Sequence, residues 1–294
     1  MSHQNRESLD PAQRSRERRL RRFKKVPIRF LLPNLITLLA LCAGVTAIRL
    51  GVEGRFELAV GGIIVAIMLD ALDGRIARLL KGTSRFGAEL DSLADFVDFG
   101  VAPAVLLYLW SLHELKSIGW IVCLILAICC ALRLARFNVA LDDPDQPQFA
   151  KNYFTGVPAP AGAGLALLPL FLGFLGVIPD GPDFAWIILP YIAIVGLLMV
   201  SHLPTFSGKS IGQRVRREIV LPILLATVLF IALLSSYPWL VLSTVAIVYI
   251  ITLPLGYRSY KRQEAAHLAE RQAQLAEGEG GEARSASEAS RQAS

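Results

Sequence analysis

The chain has 294 residues, of which 54% are hydrophobic and 18% charged, with a net charge of +6 at pH 7 and a mean hydropathy of +0.50. An average soluble domain carries about 25% charged residues, so an ordinary soluble globule is excluded. The charges crowd into the two ends and a few short loops, with long apolar runs between them. That pattern excludes the short alternating segments of a transmembrane β-barrel and points to an all-α, polytopic integral membrane bundle.

The first segment, residues 1–29, is a basic arm. It contains RSRERRLRRFKKVPIR, in which Leu20, Phe23, Val26 and Ile28 interrupt the arginines and lysines. It lacks the short apolar core and small-residue cleavage site of a signal peptide, so no cleavable signal is expected. Its charge sets topology, and its mixed pattern suits a helix lying on anionic headgroups. The membrane beside it is the natural partner, and nucleic acid is not expected.

Residues 30–258 form the membrane domain. A span needs about twenty mostly apolar residues. About eight candidates follow in chain order, near 30–48, 57–77, 93–112, 117–138, 157–177, 184–201, 219–235 and 238–256, with ends uncertain by about four residues. Loop charge tests the order. With the N-terminus inside, the inner loops hold Arg75, Arg78, Lys81 and Arg85, then Arg133, Arg136 and Lys151, then Lys209, Arg214, Arg216 and Arg217. The outer loops hold Arg49, Arg55 and Lys116. This alternation obeys the positive-inside rule and puts both termini in the cytoplasm. Four cysteines (Cys42, Cys123, Cys129 and Cys130) all fall in apolar runs and read as small buried hydrophobes.

The second and third spans break the apolar pattern. Between Leu69 and Gly100 stand Asp70, Asp73, Asp91, Asp95 and Asp98. Asp70 and Asp73 are spaced i,i+3, and Asp91 and Asp95 i,i+4, so each pair shares a helical face. The short turn near Lys81–Phe86 makes the two helices antiparallel neighbours, and four carboxylates then converge near the cytoplasmic surface. Unpaired, they would repel. A hard divalent ion, Mg²⁺ or Mn²⁺, in one or two copies, resolves the repulsion. Pairing with Arg75, Arg78 or Arg85 would be a purely structural alternative, and an ion-coupled transporter a functional one, since intramembrane carboxylates also serve as relays. Asp98 follows Asp91 by seven residues, on the same face of a regular helix. Gly74, Ala77 and Gly87 are small and let a bulky ligand approach the backbone.

The pattern Asp70-x2-Asp73-Gly74-x2-Ala77-Arg78-x8-Gly87-x3-Asp91-x3-Asp95 resembles, position for position, the signature of CDP-alcohol phosphotransferases, integral membrane enzymes that move a phosphatidyl group from CDP-diacylglycerol to an alcohol. Further pieces are similar to the membrane-spanning phosphatidylserine synthase branch: Pro33-Asn34-Leu35-Ile36-Thr37, Phe99-Gly100-Val101-Ala102-Pro103, Arg133-Leu134-Ala135-Arg136-Phe137-Asn138, Phe154-Thr155-Gly156-Val157-Pro158-Ala159-Pro160 and Pro204-Thr205-Phe206-Ser207-Gly208-Lys209. The likeness covers about residues 27–256. Asp98 stands where that branch has a small polar residue.

The resemblance implies that Asp70, Asp73 and Asp91 ligate metal, with Asp95 beside it as a ligand and general base. It implies that Asn34, Thr37, Asp73, Gly74, Ala77, Arg78 and Gly87 line the nucleotide of CDP-diacylglycerol. Arg133, Arg136, Ser207 and Lys209 would hold the serine carboxylate or a phosphate, although flanking charge alone also explains the arginines. A homodimer in the inner membrane is implied as well. Other acceptors, such as glycerol 3-phosphate, choline or an inositol phosphate, fit the same chemistry. Ser207-Gly208-Lys209-Ser210 looks like the end of a P-loop, but Leu203 occupies the position of its first glycine, so ATP hydrolysis is not expected. The tail, residues 259–294, is rich in Ala, Glu, Gln, Ser and Gly and reads as a helical stub to about Ala276 followed by disorder.

The orientation is testable at the turn between the second and third spans. A cysteine introduced at Thr83 should react only with thiol reagents that reach the cytoplasmic side. Labelling from outside intact cells would overturn the assignment.

Overall fold

The computed structural model describes residues 28–82, 84–141, 153–178, 184–201, 203–206, 217–258 and 261. The basic arm up to residue 27, Thr83, Ser207, Lys209 and nearly all of the polar tail lie outside them. The described chain is helical throughout, except for one ribbon in which β1 (Tyr153–Thr155) pairs antiparallel with β2 (Pro204–Phe206). The chain divides into two compact units, Met1–Leu109 and Trp110–Ser294.

The first unit is built on α1 (Ile28–Val52), whose neighbours are α2 (Phe56–Leu79), α3 (Arg85–Asp95), a π-helical turn (Phe96–Val101) and α4 (Ala102–Trp110). Helices in lipid gain little from the hydrophobic effect and associate through close van der Waals packing of small residues. α1 and α2 follow that rule. A Cβ added at Gly62 would stand 3.0 Å from the Cβ of Ala47 and 3.2 Å from the carbonyl oxygen of Ala43. α2 ends in a Schellman motif. The N–H of Gly82 donates to the Ala77 carbonyl at 2.9 Å and that of Lys81 to the Arg78 carbonyl at 3.2 Å. Lys81 takes the left-handed conformation, φ 49°, that glycine usually supplies there. Ser84 then caps α3, its hydroxyl accepting from the Gly87 N–H at 3.0 Å. These two stops fix the reversal that the aspartate spacing requires.

The second unit holds a 3₁₀ turn (Leu112–Leu115), α5 (Lys116–Leu141), α6 (Ala159–Ala166), α7 (Leu168–Phe174), α8 (Ala185–Val200), α9 (Arg217–Ser236) and α10 (Pro238–Arg258). α8 packs on α5, where Gly196 faces Cys129 and Leu126, and on α6, where the Tyr191 hydroxyl donates to the Leu165 carbonyl at 2.7 Å. At Gly156, φ is +80° and an added Cβ would run into the carbonyl oxygens of Met199 and Ser201, so the entry to α6 needs glycine.

Four helices among the described residues are long and apolar enough to cross a membrane: Phe30–Val52, Arg85–Trp110, Leu112–Ala140 and Pro238–Arg258. They match the first, third, fourth and eighth expected spans. The other four fall short for identifiable reasons. α2 is long enough but carries Glu57, Asp70, Asp73, Arg75 and Arg78. The span expected at 157–177 is divided at Leu167 into α6 and α7, with Pro169, which has no N–H to donate, in the first turn of α7. α8 and the Val220–Ser236 stretch of α9 are apolar but shorter. Large apolar side chains such as Leu31, Leu35, Leu225, Leu229 and Ile251 lie exposed along these helices, as in an integral membrane protein whose outer surface meets hydrocarbon. Cys42 is among the exposed residues and corrects the expectation that all four cysteines are buried; Cys123, Cys129 and Cys130 are buried. An apolar run does not tell the lipid face of a helix from its packed face.

Candidate metal and nucleotide site

The site is assembled within the first unit. Asp70 sits in the second half of α2, and Asp91 and Asp95 sit one turn apart on α3. One carboxylate oxygen from each comes within 4.8 Å of the other two, and all three residues are half-buried. A cation that takes oxygens at 2.0–2.6 Å holds its ligands at most about 4–5 Å apart. Three hard oxygen donors at this spacing therefore fit Mg²⁺, Mn²⁺ or Ca²⁺ and suit no soft metal.

Asp73, the remaining member of the expected ligand set, is placed differently. It is 4% exposed and its Oδ2 accepts a 2.5 Å hydrogen bond from the hydroxyl of Thr37, itself 4% exposed, on α1. The Thr37 hydroxyl also faces the Pro33 carbonyl at 3.2 Å. It has one proton, and the shorter contact takes it. The orientation of Asp73 is thus set by α1.

The two glycines of the signature stand in different surroundings. A Cβ at Gly74 would meet nothing within 4 Å, which leaves open space beside the acidic group. At Gly87 an added Cβ would stand 2.9 Å from Asn34 Oδ1 and 3.1 Å from Ser84 Oγ, so glycine lets α3 close on α1 at Asn34. Ala77 is half-buried and Arg78 exposed. Asn34, Thr37, Asp70, Asp73, Gly74, Ala77, Arg78, Gly87, Asp91 and Asp95 thus belong to one compact unit.

Arg133 and Arg136 lie on α5 in the other unit. Arg136 Nη1 donates a 2.7 Å hydrogen bond to the Val200 carbonyl at the end of α8, where carbonyls lack helical partners. The Arg133 guanidinium lies over the Phe137 ring, 5.6 Å from its centroid. Sequence reading missed the anchoring contact of Arg136. Nothing in the spacing of the arginines points to a carbonyl 64 residues further along the chain. Ser207 and Lys209 fall outside the described residues.

Residues 30–203 match the family described as CDP-alcohol phosphatidyltransferase. The chain belongs to the CDP-alcohol phosphatidyltransferase family. Residues 218–254 match a second description, CDP-alcohol phosphatidyltransferase 2. The CDP-diacylglycerol–serine O-phosphatidyltransferase of Mycobacterium leprae (strain TN) is 37% identical over 241 residues, 81% of this chain and 77% of that protein. The protein of the same name from Helicobacter pylori (strain ATCC 700392 / 26695) is 34% identical over 199 residues, 68% of this chain and 81% of its own. An archaetidylserine synthase of Methanothermobacter thermautotrophicus is 36% identical over 145 residues, 48% of this chain and 58% of its own length. The family match covers the whole acidic cluster and both arginines.

The bond between Thr37 and Asp73 carries a stability prediction. Thr37→Val keeps the shape but leaves a buried carboxylate short of its donor, which should cost about 1–3 kcal/mol. Thr37→Ser should keep most of it. Thermal unfolding of the purified protein in detergent reads the difference. Equal stability of the Val and Ser variants would show that the bond contributes nothing.

Proposed function

We propose that this family member transfers a phosphatidyl group from CDP-diacylglycerol to L-serine, releasing CMP and phosphatidylserine, with its active site on the cytoplasmic side of the cell membrane. The observation that carries the reading is the gathering of Asp70, Asp91 and Asp95 at one point of a membrane chain, beside the open space at Gly74. Serine as acceptor is supported by the names of the relatives, which share serine while the lipid part of the name varies. Cytoplasmic orientation is supported by loop charge.

The chemistry asks for positioning and for charge at the diphosphate. A divalent ion held by Asp70 and Asp91, with Asp95 and Asp73 beside it, would supply positive charge to the diphosphate oxygens. Asn34 and Thr37 on α1, and Gly74, Ala77, Arg78 and Gly87 around the turn, line the space for the nucleotide. Asp95 takes the proton of the serine hydroxyl, a poor nucleophile until a base within hydrogen-bond reach removes it. The serine oxygen bonds to the phosphorus that bears the diacylglycerol. The bond from that phosphorus to the bridging oxygen breaks, and its electron pair leaves with CMP. Arg133 or Arg136 holds the serine carboxylate through its planar fork, Arg136 while also anchoring Val200. Ser207 and Lys209 complete the phosphate contacts.

Purified protein, given CDP-diacylglycerol, Mn²⁺ or Mg²⁺ and a panel of alcohols, should release CMP only with serine, and the lipid product should be phosphatidylserine. CMP release with a different alcohol would replace the acceptor; none with any alcohol would favour a transporter. Asp91→Asn and Asp95→Asn should each abolish release while the protein still inserts. Near-wild-type activity in either would remove that residue's role.

The arginines separate two readings in the same assay. A charged hydrogen bond is worth ~1.5–3 kcal/mol, and each 1.4 kcal/mol is about tenfold in binding. Arg133→Lys or Arg136→Lys should therefore raise the serine requirement by about an order of magnitude and leave that for CDP-diacylglycerol nearly unchanged. A rise in the lipid requirement instead would assign the arginines to phosphate.

A further inference from the structure

Three gathered carboxylates are not all the acid in this part of the chain. Asp98 follows Asp95 by three residues, inside the π-helical turn, and is 1% exposed. Its Oδ1 is buried without a hydrogen-bond partner. It lies against Gly44 of α1, where an added Cβ would overlap the carboxylate and approach the Asp98 α-carbon to 3.2 Å. A regular α-helix would carry Asp98 along the same face as Asp91. The π turn widens the continuous helix Arg85–Trp110 at this point, one turn past Asp95, and such turns are frequent at functional sites.

A buried carboxylate oxygen without a donor is costly, and native structures rarely keep one. Among the described residues no neighbouring group offers a donor. α1 offers none either, since the residue pressed against the carboxylate is a glycine without a side chain. The donor must arrive with something that enters the site. A divalent cation that keeps part of its hydration shell brings such a donor.

We propose that Asp98 is a positioning residue of the metal centre, its Oδ1 accepting a hydrogen bond from water carried by the divalent cation at Asp70, Asp91 and Asp95. The inference rests on reading that cluster as a metal centre. Partners at this remove orient a cation and its waters, and losing one typically costs about 10–100-fold in metal affinity. Gly44 serves the same end by leaving the carboxylate its room.

Mn²⁺ binding to the purified full-length chain in detergent tests it, read by the electron paramagnetic resonance of free Mn²⁺ and by the rise in unfolding temperature that Mn²⁺ produces. Asp98→Asn keeps the shape and removes the charge. It should unfold at or above the wild-type temperature without metal, yet bind Mn²⁺ about 10–100-fold more weakly. Gly44→Ala should weaken binding in the wild-type chain and add little in an Asp98→Ala chain, where the displaced carboxylate is already gone. This pair decides the matter if Asp98→Asn does not elute as a folded protein. Asp91→Asn is the reference. If it weakens Mn²⁺ binding while Asp98→Asn and Gly44→Ala do not, Asp98 binds a structural water and the inference fails alone. If the wild-type chain itself binds no Mn²⁺, the metal-centre reading fails and takes the inference with it.

Discussion

Carboxylates inside a membrane bundle set the terms for the rest of the first unit. Asp70, Asp91 and Asp95 bring oxygens within 4.8 Å of one another, in a setting where charge is poorly solvated. Such a group repels itself unless a cation joins it, and it disperses unless the backbone holds it. The holding is visible. α2 stops in a Schellman motif and α3 starts on the Ser84 cap, so the two helices turn back on each other within five residues of chain between Leu79 and Arg85. Neither stop depends on the aspartates, and both are needed to bring them together.

The first helix acts as the spine of this unit. Along α1, Asn34 meets Gly87 on α3, Thr37 meets Asp73 on α2, Gly44 meets Asp98 in the π turn, and Ala43 and Ala47 meet Gly62. Every one of these meetings pairs a small or polar residue with another helix. That is how helices cohere where burial of apolar surface gives no advantage over lipid. The same contacts position two acidic side chains, Asp73 and Asp98, so packing and site geometry are one arrangement here. A change on α1 far in sequence from the acidic signature reaches the site directly.

Much of the site was legible because its information is local. The i,i+3 and i,i+4 spacings place Asp70 with Asp73 and Asp91 with Asp95 on shared faces, and helical geometry needs nothing more. Gly74 stands beside open space, while Gly87 is small because Asn34 of α1 stands against it. What escaped was non-local or off the regular period. The turn of Asp73 toward Thr37 depends on a residue 36 positions earlier, and the anchoring of Arg136 on Val200 on one 64 positions later. Asp98 sits in a π segment, which a count of 3.6 residues per turn does not anticipate.

Composition and charge alternation were enough to determine a polytopic helical membrane chain, because hydrocarbon forces every backbone group into internal hydrogen bonds and leaves helices as the economical answer. The acidic signature was enough to determine the family, because its residues are close in sequence and share two helices. Only the tertiary structure decided how the apolar runs divide into helices, since the run at 157–177 breaks at Leu167 ahead of Pro169. It alone decided that Cys42 is exposed, that three aspartates gather, that Asp73 bonds to Thr37 and that Asp98 meets Gly44. Those outcomes depend on which neighbour a helix face meets, and a one-dimensional pattern carries the face but not the neighbour.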